Sequence, residues 1–191
     1  MQRRVWVYVR AYVHDRPEMM DWLVIAALPR IRERLDGARW FYLRYFDDTG
    51  AHLRVRFEVA ARDAERARAL MAQELTVPFA RLDGEGFRGF DWFLPPLRLA
   101  RTAHSAETTV VDGVYVPEYD TYGVAEMTVA EDLFHRSSEL ALAELTARRS
   151  AGAAYAKISA LGYMDAVREA FAPHADAEAF WTGYREFWLG P

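Results

Sequence analysis

The chain has 191 residues, 52% of them hydrophobic and 14% aromatic, enough to bury one sizeable core. Its 28 acidic and 24 basic residues leave a formal net charge of -4, which argues against a bulk nucleic-acid binder. Cysteine is absent, which excludes disulfides, thiolate zinc sites and a cysteine nucleophile and makes the cytosol the expected compartment.

The longest apolar run, Trp22–Leu28, is far too short for a membrane span, and the N-terminus alternates like a strand instead of resembling a signal peptide. A soluble protein with no membrane partner is expected. Lys157 is the single lysine, and this preference for arginine reads as genome composition more than mechanism.

In chain order, "RVWVYVRAYVH" places Val5, Val7, Val9, Ala11 and Val13 on one face and Trp6, Tyr8, Arg10 and Tyr12 on the other, the pattern of a half-buried strand. A helix over 15–37 follows, with Asp15 as N-cap, Pro17 in the first turn, Glu18 at the capping-box position, a stop at Gly37 and a kink expected at Pro29. "RWFYLRYF" and "HLRVRFEV" flank "DDTG" and form an antiparallel hairpin, after which a second helix runs over 62–75. This β-α-β-β-α order begins a ferredoxin-like split βαβ layout. The fold class is therefore α+β: an antiparallel sheet with helices on one face and a helical C-terminal part.

Residues 83–124 are rich in Gly, Pro and aromatics, with short β-like pieces at Phe90–Leu94 and Val110–Val116. From Ala125 the chain reads as helical, with Met127, Ala130, Phe134, Leu140 and Leu145 near one stripe. Two more helices are expected over 153–171 and 176–190. No linker is long enough to divide the chain, so one domain over 1–191 is expected, made of a βαββα part (1–82), a loop part (83–124) and a helical part (125–191).

The sheet face away from the helices is expected to carry Trp6, Tyr8, Arg10 and Tyr12 beside His52, Arg54 and Arg56. The alternation Trp40, Tyr42, Arg44, Phe46 adds Tyr42 and Arg44 to that face. A guanidinium is a planar fork that grips a carboxylate or phosphate with two hydrogen bonds, so Arg54 and Arg56 suit an anion clamp. The plain alternative is a solvated face in which they pair with Glu58 and the hairpin aspartates. Aromatics beside arginine also suit single-stranded nucleic acid, but no RNP-like glycine–aromatic motif is present, and no direct nucleic-acid partner is expected.

His14, His52, His104, His135 and His174 lack metal-ligand spacing, and no metal is expected. His52 stands apart because it shares a strand face with both arginines and can move protons near neutral pH. There is no Gly-rich phosphate loop and no G-x-S-x-G elbow, and no cofactor is expected. Asp47–Asp48 and Glu131–Asp132 fit a turn and a helix surface.

Taken in order, "WFYLRY", "HLRVRF", "YVPEYDTYG" followed by "AEM", and "AEDLFHRSSELALAEL" resemble the C-terminal domain of lantibiotic dehydratases, also found as free-standing thiopeptide-type bacteriocin biosynthesis proteins. The resemblance runs from the first strand to about Leu145. It implies maturation of a ribosomally made peptide. In such dehydratases Ser or Thr of a precursor is glutamylated from glutamyl-tRNA by a separate domain, and the C-terminal domain eliminates glutamate to leave a dehydroamino acid.

The resemblance implies that Arg54 and Arg56 are needed for this lyase step, where fixed positive charge would bind and discharge the leaving glutamate. His52 and Tyr122 are the accompanying candidates for proton transfer, and Trp6, Tyr8, Arg10, Tyr42, Arg44 and Glu118 for substrate binding. Thr121 stands where the family usually has arginine, Val124 where it has a second glycine, and Ser137-Ser138-Glu139 where it has Asp-Ser-Glu. The family's C-terminal His-Met…Asn-Arg segment has no counterpart, which leaves its acid–base role to His52 or a partner chain.

The related thiopeptide pyridine synthases imply a rival reaction, formal [4+2] cycloaddition of two dehydroalanines with loss of the leader peptide. For that reaction Trp6, Tyr8, Tyr12, Trp40 and Tyr42 would hold an azole-rich peptide, with Tyr122 or His52 as proton donor. A non-catalytic module that binds the precursor or a partner is the third reading. The implied partners are a precursor peptide with leader and modified core, a separate glutamylating dehydratase protein, and a second copy of the chain in a homodimer.

Overall fold

Period-two alternation carries the chain into four strands: β1 (Arg4–His14), β2 (Trp40–Asp47), β3 (Gly50–Ala60) and β4 (Thr109–Gly113). The computed structural model describes residues 3–14, 16, 19–84 and 106–151, together with 162 and 182. The strand order is β2-β3-β1-β4, with every neighbouring pair antiparallel. β4 closes the far side of β1, so the split βαβ begun by the first three strands is complete and the fold is α+β. The expected β-like piece at Val110–Val116 is realised only as the shorter β4, and the one at Phe90–Leu94 lies outside the described residues.

Between β1 and β2 run α1 (Met19–Trp22), a π-helical turn (Leu23–Ala27) and α2 (Leu28–Arg34) without interruption. Pro29 sits in the first turn of α2 and has no N–H to donate. The helix widens just ahead of it, with Leu28 N–H donating to Leu23 O five residues back. A π-turn thus lies directly before Pro29, where a kink is expected. Gly37, at φ 70°, ends the run and donates its N–H to Arg32 O at 3.0 Å. The expected cap at Asp15, Pro17 and Glu18 lies outside the described residues.

After β3 come a 3-10 turn (Ala61–Asp63) and α3 (Ala64–Leu75), which match the helix expected over 62–75, and then α4 (Phe79–Gly84), a short helix not among the expected elements. Val7, Val9, Ala11 and Val13 of β1 and Leu53, Val55 and Phe57 of β3 form one sheet face. They are buried in one cluster with Met19, Leu23, Ala27 and Ile31 and with Ala67, Met71 and Leu75 of α3. Full burial of each large apolar side chain contributes about 1.5–3 kcal/mol, so this cluster is a main source of hydrophobic stabilisation.

α5 (Tyr119–Tyr122) and α6 (Met127–Ala151) complete the described elements. α6 closes the outer edge of β2. His135 Nδ1 lies 3.0 Å from Trp40 O, Tyr42 N–H donates to Ser138 Oγ at 3.2 Å, and the Trp40 indole N–H donates to Glu139. Glu139 also pairs with Arg32 at 2.9 Å. Backbone groups that an edge strand would leave unpaired are satisfied in this way.

Met127, Ala130 and Leu145 are buried as their spacing implies, but Leu140 is 51% exposed, because Ser138 occupies the inward position at that turn. The chain divides into two compact units, Met1–Leu145 and Thr146–Pro191. In the second, the last turns of α6 are described, with Ser150 Oγ donating to Thr146 O at 3.2 Å. The helices expected over 153–171 and 176–190 lie outside the described residues. No described helix is long and apolar enough to cross a membrane.

Candidate functional site

The register of β1 against β3 sets Tyr8 opposite Arg56, Arg10 opposite Arg54 and Tyr12 opposite His52, with Trp6 opposite Glu58. Trp6, Tyr8, Arg10, Tyr12, His52, Arg54 and Arg56 therefore share the face away from the helical core, as their alternation implies. β2 contributes a different set from the expected one. Asp47 pairs with Gly50 across the two-residue turn Asp48–Thr49, which brings Tyr45 opposite His52, Leu43 opposite Arg54 and Phe41 opposite Arg56.

Trp40, Tyr42 and Arg44 consequently lie on the helix side, a correction to the expected face. Trp40 stacks on Phe57 at 6.1 Å and on Tyr42 at 6.0 Å. Burial raises the Tyr42 phenol above its ordinary range. Arg44 forms an ion pair with Asp21, which is 1% exposed.

The two strand arginines sit in different surroundings. Arg56 is 6% exposed, and its guanidinium carbon lies 4.5 Å from the ring centre of Tyr8, 4.8 Å from Phe41 and 5.4 Å from Tyr115. Each such contact is worth about 0.5–2 kcal/mol. Burial lowers the Arg56 pKa, yet a guanidinium stays charged at neutral pH. Tyr115 packs edge-on against Trp6 at 5.9 Å and Phe41 at 6.0 Å, and its hydroxyl donates to Glu131 at 2.8 Å. Burial, and then that hydrogen bond, push its pKa far above the ordinary phenol value.

Arg54 is half-buried and its guanidinium carbon sits over Tyr45, 3.5 Å from the ring centre. Its Nε is 3.5 Å from His52 Nε2. His52 has no exposed surface, its Nδ1 is 3.1 Å from Gly50 O, and its ring lies 4.5 Å from Tyr12 and 5.5 Å from Tyr45. Burial lowers its pKa, with Arg54 and Arg10 adding to the effect against Gly50 O and Asp47. His52 is therefore neutral near pH 7 and closed off from solvent. Partial burial works against ionisation of Asp47, but the Tyr12 hydroxyl at 2.8 Å and the Thr49 N–H at 2.9 Å outweigh it and hold the carboxyl below its ordinary range.

The solvated-face alternative fails on pairing. Glu58 is engaged by Arg4 and Arg39 at 3.4 Å each, and Asp47 by Tyr12. Among the described residues no carboxylate lies within ion-pair distance of Arg10, Arg54 or Arg56, and Nε of both Arg10 and Arg56 is buried without a hydrogen-bond partner. Three guanidinium groups on one face, none with a carboxylate within ion-pair distance among the described residues, have the chemistry to take up an anion.

Glu118 and Tyr122 lie toward the Arg56 end. Tyr122 packs edge-on against Phe134 at 5.5 Å, and Phe134 meets Phe41 at 5.3 Å. The exposed Glu118 carboxylate supports the charged form of Arg56 and opposes ionisation of Tyr115. Phe41, Tyr45 and Tyr115 lie against Arg54 and Arg56, and strand alternation alone did not place them there. The signal for the first two was the two-residue turn, since its length sets the register. Tyr115 lies in the expected β-like piece Val110–Val116 but beyond the end of β4 at Gly113, so strand alternation does not place it. No cluster of three or more His, Asp or Glu residues among those described is arranged to hold a metal ion.

The family model described as "Lantibiotic biosynthesis dehydratase C-term" matches residues 6–189. Among solved structures, the tRNA-dependent lantibiotic dehydratase MibB from Microbispora sp. 107891 is similar at 28% identity with a TM-score of 0.53, over 77% of this chain and 12% of that one. TsrL is similar at 22% identity with a TM-score of 0.46, over 83% of this chain and 39% of that one. The chain thus spans 12% of the length of the first and 39% of the second. No curated protein matches it.

Proposed function

The chain belongs to the lantibiotic biosynthesis dehydratase C-terminal family, and from that premise we propose that it acts on a ribosomally made precursor peptide and eliminates glutamate from glutamylated Ser or Thr. The observation that carries this reading is the trio Arg10, Arg54 and Arg56, which share one sheet face with no described carboxylate to neutralise them. Elimination breaks the Cα–H and Cβ–O bonds of the modified residue and forms Cα=Cβ, and the glutamyl group leaves as a carboxylate. Negative charge grows on that leaving oxygen, and the free carboxylate of the glutamyl group adds a second. Preorganised guanidinium groups stabilise this charge more in the transition state than in the ground state.

The α-proton goes to a base other than His52, whose ring is sealed from solvent and whose Nε2 faces Arg54. Glu118 and Tyr122, both exposed toward the Arg56 end, have the chemistry to take up or return that proton. Tyr8, Phe41 and Tyr115 around Arg56 form apolar walls that limit water near the developing charge.

The number of aromatic rings on the face favours a second reading, cycloaddition of two dehydroalanines held against Trp6, Tyr8, Tyr45 and Tyr115. Mass spectrometry of the protein with a glutamylated precursor, and in parallel with its dehydroalanine form, separates the two. Release of glutamate from the first alone is expected. Ring formation with leader loss from the second alone would replace elimination by cycloaddition, and no change in either would leave a binding module.

A further inference from the structure

The sequence singles out His52 as an acid–base candidate because it shares a strand face with Arg54. The geometry points to a different role: we propose that His52 is a positioning residue whose Nε2 accepts the Arg54 Nε–H and so commits the Arg54 guanidinium to one orientation over Tyr45. This rests on the reading of the arginine face as an anion site.

The tautomer follows from the neighbours. Nδ1 lies 3.1 Å from Gly50 O, a carbonyl that can only accept, so the ring proton sits on Nδ1 and Nε2 presents a lone pair. The donor facing that lone pair is Arg54 Nε–H, at 3.5 Å. A guanidinium held at Nε, with its central carbon 3.5 Å from the Tyr45 ring centre, keeps its two Nη groups for a ligand.

The imidazole is itself held. It lies between Tyr12 and Tyr45, and the Tyr12 hydroxyl is anchored on Asp47 at 2.8 Å. The charged and titratable groups facing His52 are Asp47, Tyr12, Tyr45, Arg54 and Arg10. Asp47 favours a second ring proton, while Arg54 and Arg10 oppose it. That proton would remove the lone pair and set an N–H against an N–H, so acidification must release Arg54 from its orientation.

The test uses the full chain labelled with 15N and L-glutamate as the probe, with L-glutamine as control. Long-range 1H–15N spectra read the His52 tautomer and the Arg54 Nε–H signal. An Nδ1–H tautomer is expected at neutral pH, and the Arg54 signal should shift together with His52 protonation as the pH is lowered. In His52→Phe, which keeps a ring but no acceptor, the Arg54 signal should move to the mobile, solvent-exposed position and L-glutamate binding should weaken about tenfold. In His52→Gln, which keeps an acceptor, affinity should stay within about threefold of wild type.

An Nε2–H tautomer, or an Arg54 signal indifferent to His52 protonation, overturns the proposal even if His52→Phe does not fold. Coupled signals in a wild-type protein that binds no L-glutamate would support the positioning of Arg54 and overturn the anion-site reading instead.

Discussion

Arg44 and Arg54 lie on neighbouring strands of one sheet, and the pleat sends them to opposite faces with opposite electrostatic circumstances. Arg44 enters the helix layer and is neutralised by Asp21, whose side chain is buried. Arg54 faces away from that layer, stacks on Tyr45 and has no described carboxylate beside it. A cation paired with a buried acid serves the fold, whereas one stacked on an aromatic ring and lacking a counter-charge remains available to a ligand. Residue type alone does not separate the two, because register decides which face each arginine joins.

The sharpest way to break this comparison is Arg54→Ala. Conversion of a glutamylated peptide should fall by about 100- to 1,000-fold, the usual loss for one preorganised transition-state donor, while the thermal midpoint moves by only about 2 °C. Equal losses of activity and stability would put Arg54 in the structural class. Arg44→Ala should do the reverse: removing one member of a buried ion pair costs about 3 kcal/mol, read by urea denaturation, with kcat of the remaining folded protein retained.

A smaller effect is expected at the roof of the Arg56 cage. Tyr115→Phe keeps the ring against Trp6 and Phe41 but loses the hydrogen bond to Glu131, for about 1 kcal/mol of stability. A loss of more than about 3 kcal/mol would mean that the hydroxyl does more than anchor the ring.

The smallest effect is in pH dependence. His52 has a folded pKa below its ordinary 6.5, so the unfolded chain takes up its proton first as pH falls. The stability associated with neutral His52 is complete above about 6.5 and declines below it, at no more than about 1.4 kcal/mol per pH unit. Asp47 acts in the same direction at lower pH, since its depressed pKa gives stability that is lost as pH falls from 3.8 through the folded value. Thermal scans should show the His52 step in the wild type and not in His52→Gln.

Much of this comparison was legible in the residues. Strict alternation in "RVWVYVRAYVH" and "HLRVRFEV" separates Val7, Val9, Leu53 and Val55 from Tyr8, Arg10, Arg54 and Arg56, and the described structure keeps that division. The same rule applied to β2 put Trp40, Tyr42 and Arg44 on the wrong face, because alternation gives two sets without saying which set meets which. Only the two-residue turn, with Asp47 opposite Gly50, resolves that choice. Leu140 failed for a related reason: helical spacing gives a stripe to within one turn, and Ser138 takes the inward place by bonding to the edge of β2.

By itself the sequence determined the α+β layout, the apolar face of the sheet and the arginine pair, since all three follow from local periodicity and turn chemistry. Tertiary structure alone decided that Tyr115 roofs Arg56, that Tyr45 underlies Arg54 and that His52 is sealed and neutral. These depend on contacts between segments far apart in the chain, where register and burial set both geometry and charge state.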